Sequence, residues 1–355
     1  MRITINMNKQ SKTKYGSLEF SIGSDGFDNI QPWLIKSFFS KSSFGVIFGR
    51  SSSRKSFIAI DISCSIATST PWQNKPVAAG AVVYIAAEGQ TGMAKRIKAW
   101  EVANGQKVEH LYLLGQSLIL SNARDRSILI QSIKDIERQR NVKVQLIVLD
   151  TLARNFEGDE NNADSMGKFI RGCDMVREIA DTTILCVHHS GKDASKGGRG
   201  SNALNGACDF EFQVTHNATT SFTTFKNTKQ KDDEENASLV FDFKAIDLGT
   251  VCDENKPITS LALTAPATIE REKTNENNPT LKALREEFKG RCTRDELRMA
   301  CFPPQDNVKA NTTNQQFKRS LTSLQDEGLI VIHQKGAKAH ASDEITLSHQ
   351  YELPL

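Results

Sequence analysis

Apolar positions in this chain come in two patterns, and the patterns alternate. SFGVIFG (43–49), GAVVYIAAEG (80–89), VKVQLIVLDTL (142–152) and TTILCVHHSG (182–191) are apolar at nearly every position. Short runs of that kind predict strands buried on both faces, as in a parallel sheet. Between them, KSFIAIDISCSIAT (55–68), TGMAKRIKAWEVAN (91–104), SILIQSIKDIERQR (127–140) and SMGKFIRGCDMVREIA (165–180) repeat apolar residues at helical spacing. Strands alternating with helices predict an α/β fold, a mostly parallel sheet covered by helices on both faces. After residue 205 the pattern becomes strand-rich: CDFEFQVTH (208–216), TSFTTFKNTKQKD (220–232) and SLVFDFKAI (238–246). These predict antiparallel additions at one sheet edge.

Polar stretches divide the chain. Residues 1–30 read as a glycine-spotted leader, 31–264 as the main domain and 265–279 as a charged, Asn-rich linker. Residues 280–355 form a second domain. There TLKALREEF, TRDELRMACF and NQQFKRSLTSLQDEGLI predict three helices, and IVIHQKGAKAHASDEITL predicts a hairpin.

Composition narrows the class without naming a function. The 355 residues carry a net charge of +3, which implies a nucleic-acid partner only where the charge is clustered. No apolar run approaches the roughly 20 residues of a membrane span, and MRITINMNKQSKTKYG lacks a signal-peptide core. Seven cysteines stand singly with no C-x-x-C, as expected of free thiols in a reducing cytoplasm.

Candidate chemistry starts at GRSSSRKSF (49–57). A phosphate-binding loop reads G-x-x-x-x-G-K-[ST], and Gly49, Lys55 and Ser56 stand in its places. Arg54 replaces the second glycine. The setting of apolar strand, loop and helix is the one the motif requires. Backbone N–H groups along Ser51, Ser52, Ser53, Arg54 and on to Phe57 would cradle phosphates at a helix start. Lys55 would reach the β- and γ-phosphates, and Ser56 would ligate Mg2+. The plainer alternative is a serine-rich loop before a helix. Asp150 ends the strand LIVLD, where an acid can hold magnesium through water. Glu88 ends the strand before it and could deprotonate an attacking water, or be a solvated strand-end acid. His188 and His189 close a third strand, where a polar group could sense the γ-phosphate. Lys192 and Arg199 follow in a glycine-rich loop, and Lys229 and Lys231 end a later strand. Arg199 is either a residue reaching a neighbouring subunit's phosphate or a surface arginine. The two lysines belong either to a basic finger or to a solvated hairpin tip.

WLIKSFFSKSSFGVIFG…KSF, TSTPWQNKPVAAGAVVYIAAEGQTGMAKRIKAW, LIVLDTLARNFEGDENNADSMGKFI, VHHSGKDASKGGRGSNAL and TKQKD occur in this order. In that combination, over about residues 32–265, the chain resembles the RepA-type hexameric replicative helicases, RecA-fold ATPases of plasmids, phages and mobile elements. The resemblance implies a homo-oligomeric ring, usually of six, that binds ATP between subunits and translocates on single-stranded DNA. It implies Glu88 as catalytic base, Asp150 as magnesium aspartate, and His188 and His189 as the paired histidines. Arg199 becomes the finger supplied to the neighbour, with Lys229 and Lys231 beside it. The departure is Arg54, which is tolerable at negative φ and strained at positive φ. Because Glu88, Asp150 and Arg199 persist, the site reads as functional.

The tail resembles a winged helix. Thr293 and Glu296 form a capping-box pattern ahead of the second helix. In the third helix Phe317, Leu321 and Leu324 would face inward. Asn314, Gln315, Lys318 and Arg319 would face duplex DNA, with Lys335 and Lys338 in the wing. The alternative role for the tail is a protein dock. The function expected is an ATP-dependent DNA helicase in replication of a mobile element. The alternative is a non-hydrolysing ATP-dependent DNA-binding initiator or assembly scaffold.

Overall fold

The computed structural model describes residues 13–28, 31–87, 90–190, 202–218, 220–231, 233–265, 267–269, 278–303, 310–326, 329–334, 336 and 339–348. The chain divides into two compact units, 1–269 and 270–355.

The first unit opens with two small hairpins, β1 (Thr13–Tyr15) with β2 (Leu18–Phe20), and β3 (Trp33–Ile35) with β4 (Phe39–Ser40). Then come β5 (Phe44–Gly49), α1 (Lys55–Ala67), β6 (Ala81–Ala86), α2 (Gln90–Asn104), β7 (Leu111–Leu114), α3 (Ala123–Arg140), β8 (Val144–Asp150), α4 (Ala163–Ala180) and β9 (Thr183–His189). The unit closes with α5 (Asn202–Ala207), β10 (Phe210–His216), β11 (Phe222–Gln230), β12 (Leu239–Val251), β13 (Pro257–Leu263) and β14 (Thr268–Ile269).

One sheet runs β13-β12-β11-β10-β5-β9-β8-β6-β7, with β14 beside β12. The neighbours from β10 to β7 pair parallel, and those from β10 to β13 antiparallel. This is the α/β, mostly parallel architecture expected from the apolar runs. Two details differ from the expectation. CDFEFQVTH forms β10, which pairs parallel with β5, so the antiparallel set starts one strand later. The half-buried edge strand β7 and the late strand β13 carried too weak a pattern to be anticipated.

Alternation along each strand sorts the core into two layers. Ile47, Val82, Tyr84, Val148 and Val187 face α1 and α2. Val46, Val83, Ile147, Leu149 and Cys186 face α3 and α4. Beneath β10–β12 lies an aromatic cluster, in which Phe212 stacks on Phe225 with centroids 4.4 Å apart and rings within 7° of parallel. Such a pair contributes about 0.5–1.5 kcal/mol beyond burial.

Helix ends follow local chemistry. Asn122 and Asn162 cap α3 and α4 by accepting backbone N–H bonds. Among the described residues no side chain caps α1, whose N-cap residue is Arg54. The first-turn N–H groups of α1 therefore sit where an anion can take the place of a cap.

The second unit contains α6 (Pro279–Glu286), β15 (Arg291–Thr293), α7 (Arg294–Cys301), α8 (Ala310–Asp326), β16 (Ile330–His333) and β17 (Glu344–Leu347). The strands form one antiparallel sheet, β15-β17-β16. Leu284, Leu297, Phe317, Leu321, Leu324 and Ile345 fill its core. The Thr293–Glu296 capping box is present at α7.

Candidate functional site

The carboxyl ends of β5, β8 and β9 meet at one edge of the sheet, and the candidate loop crosses between them. Gly49 is required there by packing. A Cβ at that position would lie 2.2 Å from the Val214 carbonyl oxygen of β10. Beyond it the loop turns sharply, with the Ser53 N–H donating to the Arg50 carbonyl at 3.2 Å. Ser52 and Arg54 both adopt positive φ, 63° and 72°. Arg54 thus occupies the left-handed conformation its missing glycine would take, at a cost of about 1 kcal/mol.

Lys55 is buried and donates to the Gly49 and Arg50 carbonyls at 2.9 and 2.8 Å. Burial pulls its ammonium down to about 8, against the opposing pull of Asp150. Asp150 is 2% exposed and accepts the Tyr84 hydroxyl at 2.7 Å. Burial pushes its carboxyl up, while hydrogen bonds from Tyr84 and Ser56 and the charges of Arg96 and Lys55 pull it down. The motif residues Lys55 and Ser56 and the strand-end acid are therefore one cluster.

His189 joins them, with Nδ1 3.5 Å from both Lys55 Nζ and Ser51 Oγ. His188 does not. Adjacent strand residues face opposite sides, and His188 is buried at 1% exposure away from the loop. Of the two histidines expected at the site, His189 is the one that lines it among the described residues.

A cavity of about 570 Å³ opens here, lined by Ser53, Lys55, Asp150, Thr151, Arg96 and His216 among others. Ser53 Oγ and Thr151 Oγ1 are buried without a hydrogen-bond partner among the described residues. Two orphaned hydroxyls beside an uncapped helix start fit a ligand rich in acceptor oxygens. The Ser56 hydroxyl and Asp150 carboxylate supply the hard oxygen donors that magnesium prefers. Tyr84, Arg96, Thr151 and His216 were not anticipated. A tyrosine inside the apolar run AVVYIA was the one available clue, since a buried phenol needs a partner.

Phe57 turns its face to Arg96, whose guanidinium lies 4.5 Å from the ring centroid. Lys229 and Lys231 lie at the other end of the sheet, where β11 pairs with the start of β10. Lys229 donates to the Asn205 and Gly206 carbonyls at 2.6 and 3.3 Å, and Lys231 pairs with Asp209 at 3.4 Å. By register Lys229 pairs with Glu211, which pairs with Val46 of β5, three residues before Gly49 and two strands across; at strand spacings that is roughly 15 Å from the start of the loop. Glu88, Lys192, Arg199, Lys335 and Lys338 lie outside the described residues. In the second unit Asn314, Gln315, Lys318 and Arg319 are exposed on α8, while Phe317, Leu321 and Leu324 are buried.

No curated protein matches the chain. Among solved structures, a chain described as an ATPase domain is similar at a TM-score of 0.44 and 12% identity. The match covers 57% of this chain and 82% of that one, and is too loose to carry an argument. The sequence itself is more specific: residues 10–195, over half its length, match the family described as an AAA domain, and the chain belongs to that family.

Proposed function

We propose that the chain is an ATP-dependent DNA helicase of the RepA type, working as a ring of identical subunits on single-stranded DNA in replication of a mobile element. The observation that carries the nucleotide part is the cluster of Lys55, Ser56, Asp150 and His189 beside an uncapped helix start. The motif order in the sequence supports the helicase part.

In this reading the N–H groups of the loop and of the start of α1 bind the phosphates of ATP. Lys55 exchanges its loop carbonyls for phosphate oxygens. Ser56 and Asp150 would hold magnesium, which offsets phosphate charge when bound. Glu88 takes a proton from water as its oxygen attacks the γ-phosphorus and ADP leaves. His189 contacts the γ-phosphate edge. Arg199, with Lys229 and Lys231, acts on the neighbour's nucleotide; the two lysines sit at the end of β11 away from their own loop. The second unit serves as a winged helix on duplex DNA through α8 and the wing. Among the described residues no helix is long and apolar enough to cross a membrane.

One observation favours the second reading, a scaffold that binds ATP without turning it over: the loop holds two non-glycine residues at positive φ. A strand-displacement assay on a forked duplex separates the two. The helicase reading expects unwinding with ATP and none with a non-hydrolysable analogue. Equal strand release with both supports the scaffold. Glu88→Gln should lower turnover by about 10²- to 10⁴-fold while nucleotide still binds.

A further inference from the structure

Arg54 raises a question that the nucleotide chemistry does not answer. Its side chain is directed to the antiparallel edge of the sheet. The Nη1 group donates to the Ser221 carbonyl at 3.1 Å, just ahead of β11. The guanidinium lies 5.4 Å from the Phe243 ring centroid on β12. Burial pulls its pKa down, and neighbouring Asp242 pulls it back up. Phe243 meets Phe57 of α1 edge to face at 5.9 Å, and Arg96 of α2 covers the other ring. Two guanidiniums thus close the two ends of an aromatic pair. The column Arg54–Phe243–Phe57–Arg96 joins the loop, β12, α1 and α2.

We infer that Arg54 is a positioning residue: seated on Phe243 and Ser221, it latches the phosphate loop in the left-handed turn that glycine adopts unaided. Glycine reaches that conformation without strain because it has no Cβ. Arginine reaches it here because contacts far along the chain hold it there. The loop is then only as rigid as its attachment to β11 and β12. A phosphate cradle must be preformed to bind at full strength, since time spent in other conformations lowers apparent affinity in proportion. The latch therefore does with a side chain what the usual loop does with a missing one. The affinity half of this inference rests on nucleotide binding at the loop; the rigidity half does not.

The test is a cycle in the full-length protein. Phe243→Leu is made in the Arg54 background and again with Arg54→Gly. Amide exchange is read without nucleotide at Ser53, Phe57 and Ile58, whose N–H groups bond to the Arg50 and Arg54 carbonyls. Dissociation constants are then read with a fluorescent ATP analogue, with Lys55→Ala as the control for loop-dependent binding. Phe243→Leu should speed exchange about tenfold and weaken the analogue about threefold to tenfold when Arg54 is present. With Arg54→Gly the same change should alter each by less than twofold, because glycine needs no latch. Asp242→Asn, at an exposed position, should repeat the pattern more weakly and serves if Phe243→Leu does not fold. Equal effects in both backgrounds overturn the latch. A wild-type protein that fails to bind the analogue but shows the exchange pattern leaves the latch standing and removes the nucleotide reading instead.

Discussion

Tyr84 donates its hydroxyl hydrogen to Asp150 Oδ2 at 2.7 Å, both residues buried on the sheet face that carries α1. The bond keeps a desolvated carboxylate satisfied beside Ser56 and Lys55. Tyr84→Phe keeps the ring and removes the donor. Thermal or urea unfolding should then show a loss of about 1–3 kcal/mol, because a buried acceptor is left short of a partner. Unchanged stability would mean that Asp150 does not depend on this bond.

Gly49 and Gly206 make a matched pair. A Cβ at Gly49 meets the Val214 backbone oxygen at 2.2 Å, whereas at Gly206 nothing lies within 4 Å. Gly49→Ala should destabilise by about 2 kcal/mol or more, since backbone cannot step aside, and should abolish nucleotide binding. Gly206→Ala should be close to neutral. Chemical denaturation of both variants decides it, and equal tolerance would contradict the strand packing.

Asp61 makes stability depend on pH. Buried in α1, it accepts Trp72 Nε1 at 2.8 Å and Trp100 Nε1 at 3.0 Å. Burial raises its carboxyl to about 6, and the two indoles offset part of the rise. A folded pKa above the unfolded value of about 3.9 means the folded state binds the extra proton. Stability from this group is full below about pH 3.9 and is lost as pH rises through about 6. The amount is about 3 kcal/mol at most. Asp61→Asn should flatten that part of the pH dependence of unfolding, and indole emission should titrate in the same range only in the wild type. A wild-type emission profile flat from pH 4 to 7 would contradict the assignment.

On the second unit, Lys318 and Arg319 are exposed on the polar side of α8. If they grip duplex phosphates, changing both to alanine should lower the slope of log affinity against log salt by about two. ATP turnover stimulated by single strands should persist. Unchanged duplex affinity with loss of a protein partner would favour the docking role.

The sequence made the central strands legible because β5, β6, β8 and β9 are buried on both faces and apolar throughout. It misled at β10, where Glu211 interrupts the run although it is buried, accepting from Thr228 Oγ1 at 2.9 Å. An edge strand such as β7, with half-buried residues, has no sharp pattern to read. At the site, Lys55, Ser56 and Asp150 followed from spacing along the chain. Tyr84, Thr151 and Arg96 did not, because only the sheet order brings them to the loop. The histidine pair was half legible: strand alternation already implies that His188 and His189 face opposite ways. Arg54 was legible as a departure, but its partners, Ser221 just ahead of β11 and Phe243 on β12, are brought to the loop only by the fold.

The most direct test is steady-state ATP hydrolysis by the purified chain, with and without single-stranded DNA, beside Lys55→Ala. We expect turnover that rises on adding single strands and vanishes in Lys55→Ala, whose lost ammonium is the one seated among the loop carbonyls. Wild-type protein that binds ATP yet hydrolyses none with DNA present, or Lys55→Ala turning over at the wild-type rate, would contradict a DNA-stimulated motor built on this loop.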